Sequence, residues 1–394
     1  MIKVAGIFTH PIQYFVPLFR ELSTRNDVEY HTIYLSNIGA EIYYDPGFQK
    51  KIKWDIDLLT GYTHEFVRNF GSPNLIPPFR FINPSIIKAF IINEYDVILV
   101  HGYDNLTDWI AFSVAYLTGV PYMLHGESNL LDPRSRVKLL VKRALLSPLI
   151  KNAGALLYIG SANRDFYLEY GAHEEKLFPC PYSVDNSFFA RGDMERRKLG
   201  REFRASYKLG LDDIVFLFVG KFVHQKNPLL LLRAFGKLRC SSQCKLVMVG
   251  DGPLRKDIMD FKRRHNMSNV ILTGFLNQTE IMKAYAAGDI LVLPSIHEPW
   301  GLVVNEAMNL NTAIVTSDRV GCARDLVQDG RNGFVFRSGS EEGLYGRMKE
   351  ICEDRIKLER YKEESRRIIE NWGIKQAVDG IVKAAHYCTR KNAK

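Results

Sequence analysis

The stretch ILVLPSIHEPWGLVVNEAM, residues 290–308, combines a short apolar run, a turn and a segment with helical character. The run Ile290–Leu293 has no polar alternation, which is typical of a strand covered on both faces of a parallel sheet. Pro299 and Gly301 mark a bend, and Leu302–Asn309 is predicted to form a helix. Ligands of open α/β sheets bind beyond the carboxyl ends of the strands. The stretch therefore predicts an α/β fold with a site in the loop after residue 293.

Similar apolar runs recur along the chain and are separated by segments of helix length. The runs are Lys3–Phe8, Asp96–Val100, Pro121–Leu124, Ala155–Ile159, Ile214–Val219, Lys245–Val249, Val270–Thr273, Ile290–Leu293 and Ala313–Thr316. Two such series predict two doubly wound domains with parallel sheets. We expect a first domain at 1–190, a charge-rich linker at 191–210, a second domain at 211–372, and a C-terminal helix at 373–394 that packs back toward the first domain.

Composition restricts the class of protein but does not identify a ligand. The chain has 394 residues, of which 46% are hydrophobic and 25% charged, so a disordered or collagen-like chain is excluded. The net charge of +9 fits anionic partners of several kinds. The six cysteines show no zinc-ligand spacing, which predicts reduced thiols in a cytoplasmic protein without a metal site. Neither a secretory signal nor a membrane span is expected.

The segment 132–151 is basic and amphipathic. At helical spacing, Val137, Leu140, Val141 and Ala144 form one apolar stripe flanked by Lys and Arg. This pattern suits peripheral contact with an anionic membrane, and it equally suits a helix docked on the sheet with solvated cations. We favour docking on the sheet.

The loops after the runs of the second half carry charged residues and glycines. Lys221 and Lys226 follow Ile214–Val219 and would place two cations over one crevice, as a diphosphate group requires. The free N–H groups of the helix that begins near Gly301 suit a phosphate. Glu298 and Glu306 flank that helix end, and their natural partners are hydroxyl donors such as a ribose or a sugar ring.

These motifs resemble the donor domain of the retaining glycosyltransferases of family 4, which have the GT-B fold. The resemblance rests on five segments in the order of the family, namely 220–226, 249–253, 298–306, 316–321 and 329–334. It implies two Rossmann-like domains that face each other across a cleft. It also implies transfer of a hexose-type sugar from a nucleotide-diphosphate sugar to an acceptor hydroxyl, with retention of configuration and with no cofactor or metal.

The resemblance assigns roles to residues of the second half. Lys221 and Lys226 would bind the donor diphosphate, and Glu298 would contact the transferred sugar. Further donor contacts would come from the loops after the strands. They are Gly220, Asp251, Gly252, the base-site residues Phe275 and Leu276, the amides of Gly301, Leu302 and Val303, and Glu306 at the ribose. Trp300 is interpreted as a packing residue.

In the first half the resemblance is limited to a few strand ends. His125 follows Pro121–Leu124 and matches the histidine of the family near the donor sugar. His10 and Gln13 after the first strand, and His101 and Tyr103 after Asp96–Val100, are candidate acceptor contacts. The partners implied are a UDP- or GDP-linked sugar and a glycan or lipid-linked acceptor, in bacterial surface polysaccharide or glycolipid assembly. The location implied is cytoplasmic, at the inner face of the plasma membrane.

Alternatives from other classes stay open at this point. Another GT-B enzyme, such as a sugar-nucleotide epimerase, would share the fold. A metal-dependent GT-A transferase is suggested only by Asp55-Ile56-Asp57, far from the donor motifs. A non-catalytic nucleotide-binding protein would also need the basic loops, whereas nucleic acid is not an expected partner because no recognition signature for it is present.

Overall fold

A computed structural model describes residues 1–72, 75–131, 136–190, 192–238 and 243–392. The chain divides into two compact units. The first unit consists of Met1–Tyr43, Asp57–Tyr182 and Ile374–Lys394, and the second consists of Tyr44–Ile56 and Ser183–Gly373. The chain therefore passes between the units more than once.

The elements up to residue 182 form mainly the first unit. They are β1 (Ile2–Phe8), α1 (Val16–Ser23), β2 (Val28–Tyr34), β3 (Tyr43–Asp45), β4 (Lys50–Ile52), β5 (Thr63–Phe66), α2 (Ile86–Asn93), β6 (Val97–His101), α3 (Leu106–Thr118), β7 (Tyr122–His125), α4 (Arg136–Asn152), β8 (Ala155–Tyr158), α5 (Ser161–Glu169) and β9 (Leu177–Pro179).

The elements after residue 182 form the second unit and the last helix. They are α6 (Asn186–Phe189), α7 (Asp193–Ser206), β10 (Ile214–Val219), α8 (Pro228–Lys237), β11 (Cys244–Val249), α9 (Arg255–Arg264), β12 (Val270–Gly274), α10 (Gln278–Ala287), β13 (Ile290–Leu293), α11 (Leu302–Asn309), β14 (Ala313–Ser317), α12 (Ala323–Leu326), β15 (Gly333–Phe336), α13 (Glu341–Cys352), α14 (Arg355–Ile369) and α15 (Ile374–Asn392).

Both large sheets have the doubly wound topology that the sequence predicts. The first sheet has the order β5-β2-β1-β6-β7-β8-β9, and the second has the order β12-β11-β10-β13-β14-β15. Neighbouring strands in both sheets run parallel. The strand order reverses between β1 and β6 in the first unit and between β10 and β13 in the second. Loops at such a reversal diverge and leave a crevice for a ligand.

Each unit has its own apolar core. Every residue of β10 and of β13 is buried, because helices cover both faces of the sheet. Phe216 and Phe218 of β10 pack in the core of the second unit with side chains of α8 and α13. The core of the first unit is built in the same way from β6, β7, α3 and α5. The cores fix the strand ends, and the strand ends position the loops described below.

The segment predicted as a linker, 191–210, is largely the helix α7. Gly200 and Phe203 of this helix are buried, and α7 packs against α10 of the second unit. A Cβ atom on Gly200 would lie 2.6 Å from the carbonyl oxygen of Ala286, so the two helices approach closely. The prediction of a linker was wrong because the many charges of this segment occupy the solvent side of a docked helix.

Two other segments belong to a unit that is distant from them in the sequence. Residues Tyr44–Ile56 belong to the second unit, although the sequence placed them in a first domain at 1–190. Helix α15 belongs to the first unit, where it packs against α1, β8 and β9. None of the helices in the described ranges has the length and apolar content that a membrane-spanning segment needs.

Helix α4 docks through a different face from the one predicted. Leu146, Leu149 and Ile150 are buried, whereas Val137, Leu140 and Val141 are 70%, 68% and 56% exposed. The interpretation that the stripe at 137–144 docks on the sheet was therefore wrong. The contacts with the core are made by the last turns of the helix, which leaves the apolar side chains of its first turns exposed.

Candidate functional site

Lys226 and Glu298 meet at the point where the strand order of the second sheet reverses. Lys226 ends a 3-10 turn (His224–Lys226) that follows β10, and Glu298 lies in the loop after β13. Their side chains form an ion pair between Nζ and Oε2 and are only 23% and 12% exposed. Because β10 and β13 are adjacent parallel strands, their carboxyl ends lie at the same edge of the sheet. Two residues predicted from separate motifs are thus in direct contact.

Backbone contacts hold these two loops together. The amide of Ile296 donates a hydrogen bond to the carbonyl oxygen of Gln225, with an N···O distance of 2.8 Å. Asn227 adopts φ = 51°, a conformation that asparagine tolerates better than most residues, and Pro228 occupies the first turn of α8. The ion pair therefore stands on two loops whose geometry is fixed by the backbone.

Helix α11 begins beside this ion pair and confirms the prediction of a helix at Leu302–Asn309. Its N-cap residue, Gly301, has φ = 102°, and a Cβ atom there would lie 3.0 Å from Cγ1 of Val320. Glycine is required by both the conformation and the space. The first N–H groups of a helix have no partner within the helix and carry partial positive charge. The end of α11 can therefore bind an anion.

Trp300 and Glu306 are both buried around α11. Trp300 donates from Nε1 to Oδ1 of Asn305 at 3.0 Å, and its ring packs against that of Trp372 with 5.5 Å between the centroids. Its interpretation as a packing residue is confirmed. Glu306 is 1% exposed and accepts a hydrogen bond from the Tyr285 hydroxyl at 2.5 Å. A buried carboxylate held in this way can accept hydrogen bonds from ligand hydroxyls.

Glycines line the ends of β10 and β11. Gly220, Gly250 and Gly252 have φ values of 152°, 142° and 147°, and a Cβ atom on Gly250 would overlap the carbonyl oxygen of Gly220. Asp251 between them forms an ion pair with Lys50, with 2.7 Å between Nζ and Oδ2. The two loops approach each other so closely at Gly250 that only glycine fits there.

Lys221 pairs with a residue that the motifs did not indicate. Its Nζ lies 2.9 Å from Oδ2 of Asp45 and 5.0 Å from the centroid of the Phe48 ring. After β12, Phe275 is half-buried, and its ring contacts those of Phe48 and Trp54, with centroid distances of 5.0 and 6.3 Å. Leu276 is likewise half-buried. The segment 44–56 therefore lies against the predicted phosphate and base residues.

Asp55 has a structural role rather than the metal-binding role that a GT-A transferase would give it. Its carboxylate accepts hydrogen bonds from the amides of Gln278 and Thr279 at 3.1 Å each, at the N-terminus of α10. An acidic residue at this position caps the helix and complements its dipole. Among the described residues, no group of three or more His, Cys, Asp or Glu side chains is placed to hold a metal ion.

A histidine and tyrosine cluster occupies the corresponding edge of the first sheet. His101 ends β6 and His125 ends β7, and their Nδ1 atoms are 3.2 Å apart. The Tyr182 hydroxyl donates to the carboxylate of Glu127 and lies 3.4 Å from Nε2 of His101. The ring of Phe15 packs against both histidines and Tyr182. Tyr182 and Glu127 have no role in the sequence-based prediction, because their contacts arise only from the folding of distant segments.

The histidines of this cluster are neutral at physiological pH. Burial lowers the pKa of His125 well below its usual value, and it lowers the pKa of His101 to about 4. His125 is 1% exposed, and its Nε2 atom has no hydrogen-bond partner among the described residues. A neutral, buried imidazole with an unused ring nitrogen is suited to hydrogen bonding with a ligand hydroxyl.

The other candidate acceptor residues lie on nearby loops of the first unit. His10 is half-buried, and burial together with the charge of Arg80 lowers its pKa to about 4. Gln13 is half-buried in the turn before α1. Tyr103 follows β6, and its hydroxyl is hydrogen-bonded to the hydroxyl of Ser128. Besides burial, a positive charge on His10 lowers the pKa of His101, so these two rings lie near each other, whereas the ring of Tyr103 lies beside Lys142.

Part of the second unit is similar to a known protein family. Residues 201–368 match the family model of the group 1 glycosyl transferases. The chain is 34% identical to an uncharacterized glycosyltransferase of Methanocaldococcus jannaschii over 36% of its own length and 37% of that protein. It thus spans little more than a third of this relative. Residues 201–368, which lie within the second unit, are thus similar to the group 1 glycosyl transferases.

Two longer similarities cover both units. The chain is 26% identical to the UDP-Gal:alpha-D-GlcNAc-diphosphoundecaprenol alpha-1,3-galactosyltransferase of Escherichia coli, over 82% of its own length and 84% of that enzyme. The structure of Anabaena HepE in complex with UDP and glucose superposes with a TM-score of 0.71 at 18% identity, covering 97% of this chain and 99% of that one. At this identity the likeness shows the fold, and it confirms the predicted GT-B class.

Proposed function

We propose that the protein is a retaining glycosyltransferase of family 4. It would transfer a hexose-type sugar from a UDP- or GDP-linked donor to a hydroxyl group of a glycan or lipid-linked acceptor. The observation that carries the proposal is the contact between Lys226 and Glu298 beside the N-terminus of α11. The cation and the helix terminus can bind a diphosphate, and the carboxylate beside them can bind a sugar hydroxyl.

The reaction breaks the bond between the anomeric carbon and the diphosphate oxygen, so negative charge develops on the leaving group. Lys226, Lys221 and the amides of Gly301–Val303 would stabilise that charge, because they are held in place before the reaction begins. These groups supply positive charge without a metal ion. In the retaining mechanism the leaving diphosphate oxygen accepts the proton of the acceptor hydroxyl, so no separate protein base is required.

The carboxylates would hold the hydroxyl groups of the donor. Glu298, paired with Lys226, would contact the transferred sugar, and Glu306, held by Tyr285, would bind the ribose. Gly220, Asp251 and Gly252 would line the donor, with the base beside Phe275 and Leu276. Buried carboxylates with one oxygen already engaged retain acceptor capacity for these hydroxyls.

The residues of the first unit would serve the sugar and the acceptor. The unused Nε2 of His125 is proposed to contact the transferred sugar, and His10, Gln13, His101 and Tyr103 are proposed to contact the acceptor. The low pKa values of His101 and His125 favour neutral hydrogen bonding over ionic catalysis.

We further propose that the first turns of α4 contact the anionic lipids at the inner face of the plasma membrane. This helix contains five Lys or Arg residues and no Asp or Glu, and its apolar residues Val137, Leu140 and Val141 are exposed. Exposed apolar side chains on a helix of basic composition suit a surface of anionic lipid. The E. coli relative is named for a diphosphoundecaprenol acceptor, which supports a role in surface polysaccharide or glycolipid assembly.

Isothermal titration with UDP, GDP and ADP tests the donor site. We expect one of the three to bind, and transfer or hydrolysis of sugars linked to that nucleotide should then be detectable by release of the nucleoside diphosphate. The proposal is contradicted if none of the three binds and no donor is turned over.

Flotation with vesicles tests the membrane contact. Leu140→Glu should reduce binding to vesicles that contain phosphatidylglycerol and leave nucleotide binding unchanged. Ile356→Glu is the matched control, because Ile356 is 86% exposed on α14 of the second unit. Equal flotation of both variants and the wild-type protein would exclude the proposed surface.

A further inference from the structure

Residues Tyr44–Ile56 cover the strand ends where the donor is proposed to bind. Asp45 contacts Lys221 after β10, Lys50 contacts Asp251 after β11, and Phe48 contacts Phe275 after β12. The segment therefore contacts the loops after β10, β11 and β12, which lie on one side of the point where the strand order reverses. None of the five segments on which the family resemblance rests lies in it.

Asp45 is the residue of this segment that forms an ion pair with Lys221, which is proposed to bind the diphosphate. Its side chain is 12% exposed, and Oδ2 is 2.9 Å from Nζ of Lys221. The other oxygen, Oδ1, accepts hydrogen bonds from the amides of Gly47 and Phe48 at 2.8 and 3.0 Å. The carboxylate is thus fixed by its own turn and presents its second oxygen to the lysine.

Lys221 is enclosed by the same turn. A Cβ atom on Gly47 would lie 2.6 Å from Cδ of Lys221, and the Phe48 ring packs beside the ammonium group. Lys226, by contrast, is paired with Glu298, which comes from a loop of the sheet itself. Lys226 therefore pairs with a carboxylate from a loop of the sheet, whereas Lys221 pairs with a carboxylate from the segment 44–56.

We infer that Asp45 is a positioning residue that holds Lys221 when no donor is bound, and that a nucleoside diphosphate must displace this carboxylate to bind Lys221. The inference rests on the proposed donor site. A carboxylate and a diphosphate are both hydrogen-bond acceptors, and they compete for the donors of one ammonium group. Removal of the Asp45 charge should therefore strengthen diphosphate binding, although the substitution removes an ion pair.

The test measures binding by titration calorimetry to Asp45→Asn, which keeps an oxygen for the amides of Gly47 and Phe48. For the nucleoside diphosphate that binds the wild-type protein, we expect a dissociation constant lower by about fivefold, the scale of a partly exposed ion pair. The corresponding nucleoside, which lacks phosphate, should bind both proteins equally. Asp45→Ser carries the same expectation and serves if the asparagine variant does not fold.

Two further variants isolate the role of Lys221. In a Lys221→Met background, Asp45→Asn should leave the dissociation constant within twofold, because the cation for which the ligand competes is absent. Asp55→Asn is the matched control, since Asp55 belongs to the same segment and the substitution removes the same charge, but its carboxylate contacts α10. It should also leave the affinity within twofold.

The outcomes separate this inference from the proposed function. If a nucleoside diphosphate binds but Asp45→Asn does not tighten its binding, the inference is overturned and the donor site stands. The same holds if Asp55→Asn, or Asp45→Asn in the Lys221→Met background, tightens binding as strongly. If no nucleotide binds any of the proteins, the proposed function and the inference both fail.

Discussion

Replacement of Lys226 by methionine removes one positive charge from the proposed binding site of the diphosphate leaving group. Methionine has nearly the length of the lysine stem, so the packing of the 3-10 turn should be preserved. Lys226 is the cation in direct contact with Glu298, and the two side chains are 23% and 12% exposed. We therefore expect Lys226→Met to lower kcat rather than to unfold the protein.

The size of the effect follows from the position of the lysine. A fixed donor that faces charge developing in the transition state contributes about 2.7–4 kcal/mol, so its loss lowers kcat by ~10²–10³-fold. A surface lysine in an exposed ion pair contributes ~1 kcal/mol or less, which corresponds to about fivefold. Because these ranges do not overlap, a single kinetic measurement distinguishes a catalytic Lys226 from a merely structural one.

The assay is steady-state release of the nucleoside diphosphate from the donor identified by titration. Lys237→Met is the matched control, because Lys237 lies on the following helix, is 41% exposed and pairs with Glu341 and Glu342. Its kcat should equal that of the wild-type enzyme. A kcat of Lys226→Met within fivefold of wild type, with a normal melting temperature, would refute the assignment of Lys226 to the leaving group.

Three other predictions concern the ribose contact, acid stability and the core. Glu306→Ala should raise the KM for the donor more than it lowers kcat, because the ribose contacts are made already in the ground state; an unchanged donor KM contradicts the assignment. Burial lowers the pKa values of His10 and His101 to about 4, so the unfolded state binds more protons between pH 4 and 6.5. The free energy of unfolding should therefore fall as the pH drops through this window, by up to ~1.4 kcal/mol per pH unit for each histidine. In the double variant His10→Asn and His101→Asn, the free energy of unfolding measured in urea should depend less on pH in this window. An unchanged pH dependence would exclude these two residues as its cause. Phe216→Ala should cost ~3–5 kcal/mol in urea unfolding, because the ring is fully buried in the second core, whereas Ile356→Ala at an 86% exposed site should cost below ~0.5 kcal/mol. Equal costs would contradict the described core.

The central strands of both sheets could be predicted from the sequence. The runs Ile214–Val219 and Ile290–Leu293 coincide with β10 and β13, and the helix expected at Leu302–Asn309 coincides with α11. Strands covered on both faces need apolar side chains at every position, so their pattern is local and unambiguous.

Strands with polar positions or with a glycine in the run were not recognised. In β2 (Val28–Tyr34), Glu29 is exposed and His31 is half-buried, so the run is not continuously apolar. In β15 (Gly333–Phe336), the run begins with a glycine, a residue that is depleted in strands, and Val335 is half-buried. Such strands are defined by the neighbours with which they pair, and this information is distant in the sequence.

The two α/β series and the loops that carry the lysines and glutamates could be predicted from the sequence alone. These are consequences of local pattern, because backbone conformation and burial act on neighbouring residues. The contacts of Lys226 with Glu298, of Tyr182 with His101, and of Asp45 with Lys221, 176 residues away, arise from the tertiary fold. Each of these contacts depends on the order of the strands in a sheet or on the packing of a distant segment, and no spacing along the chain specifies either.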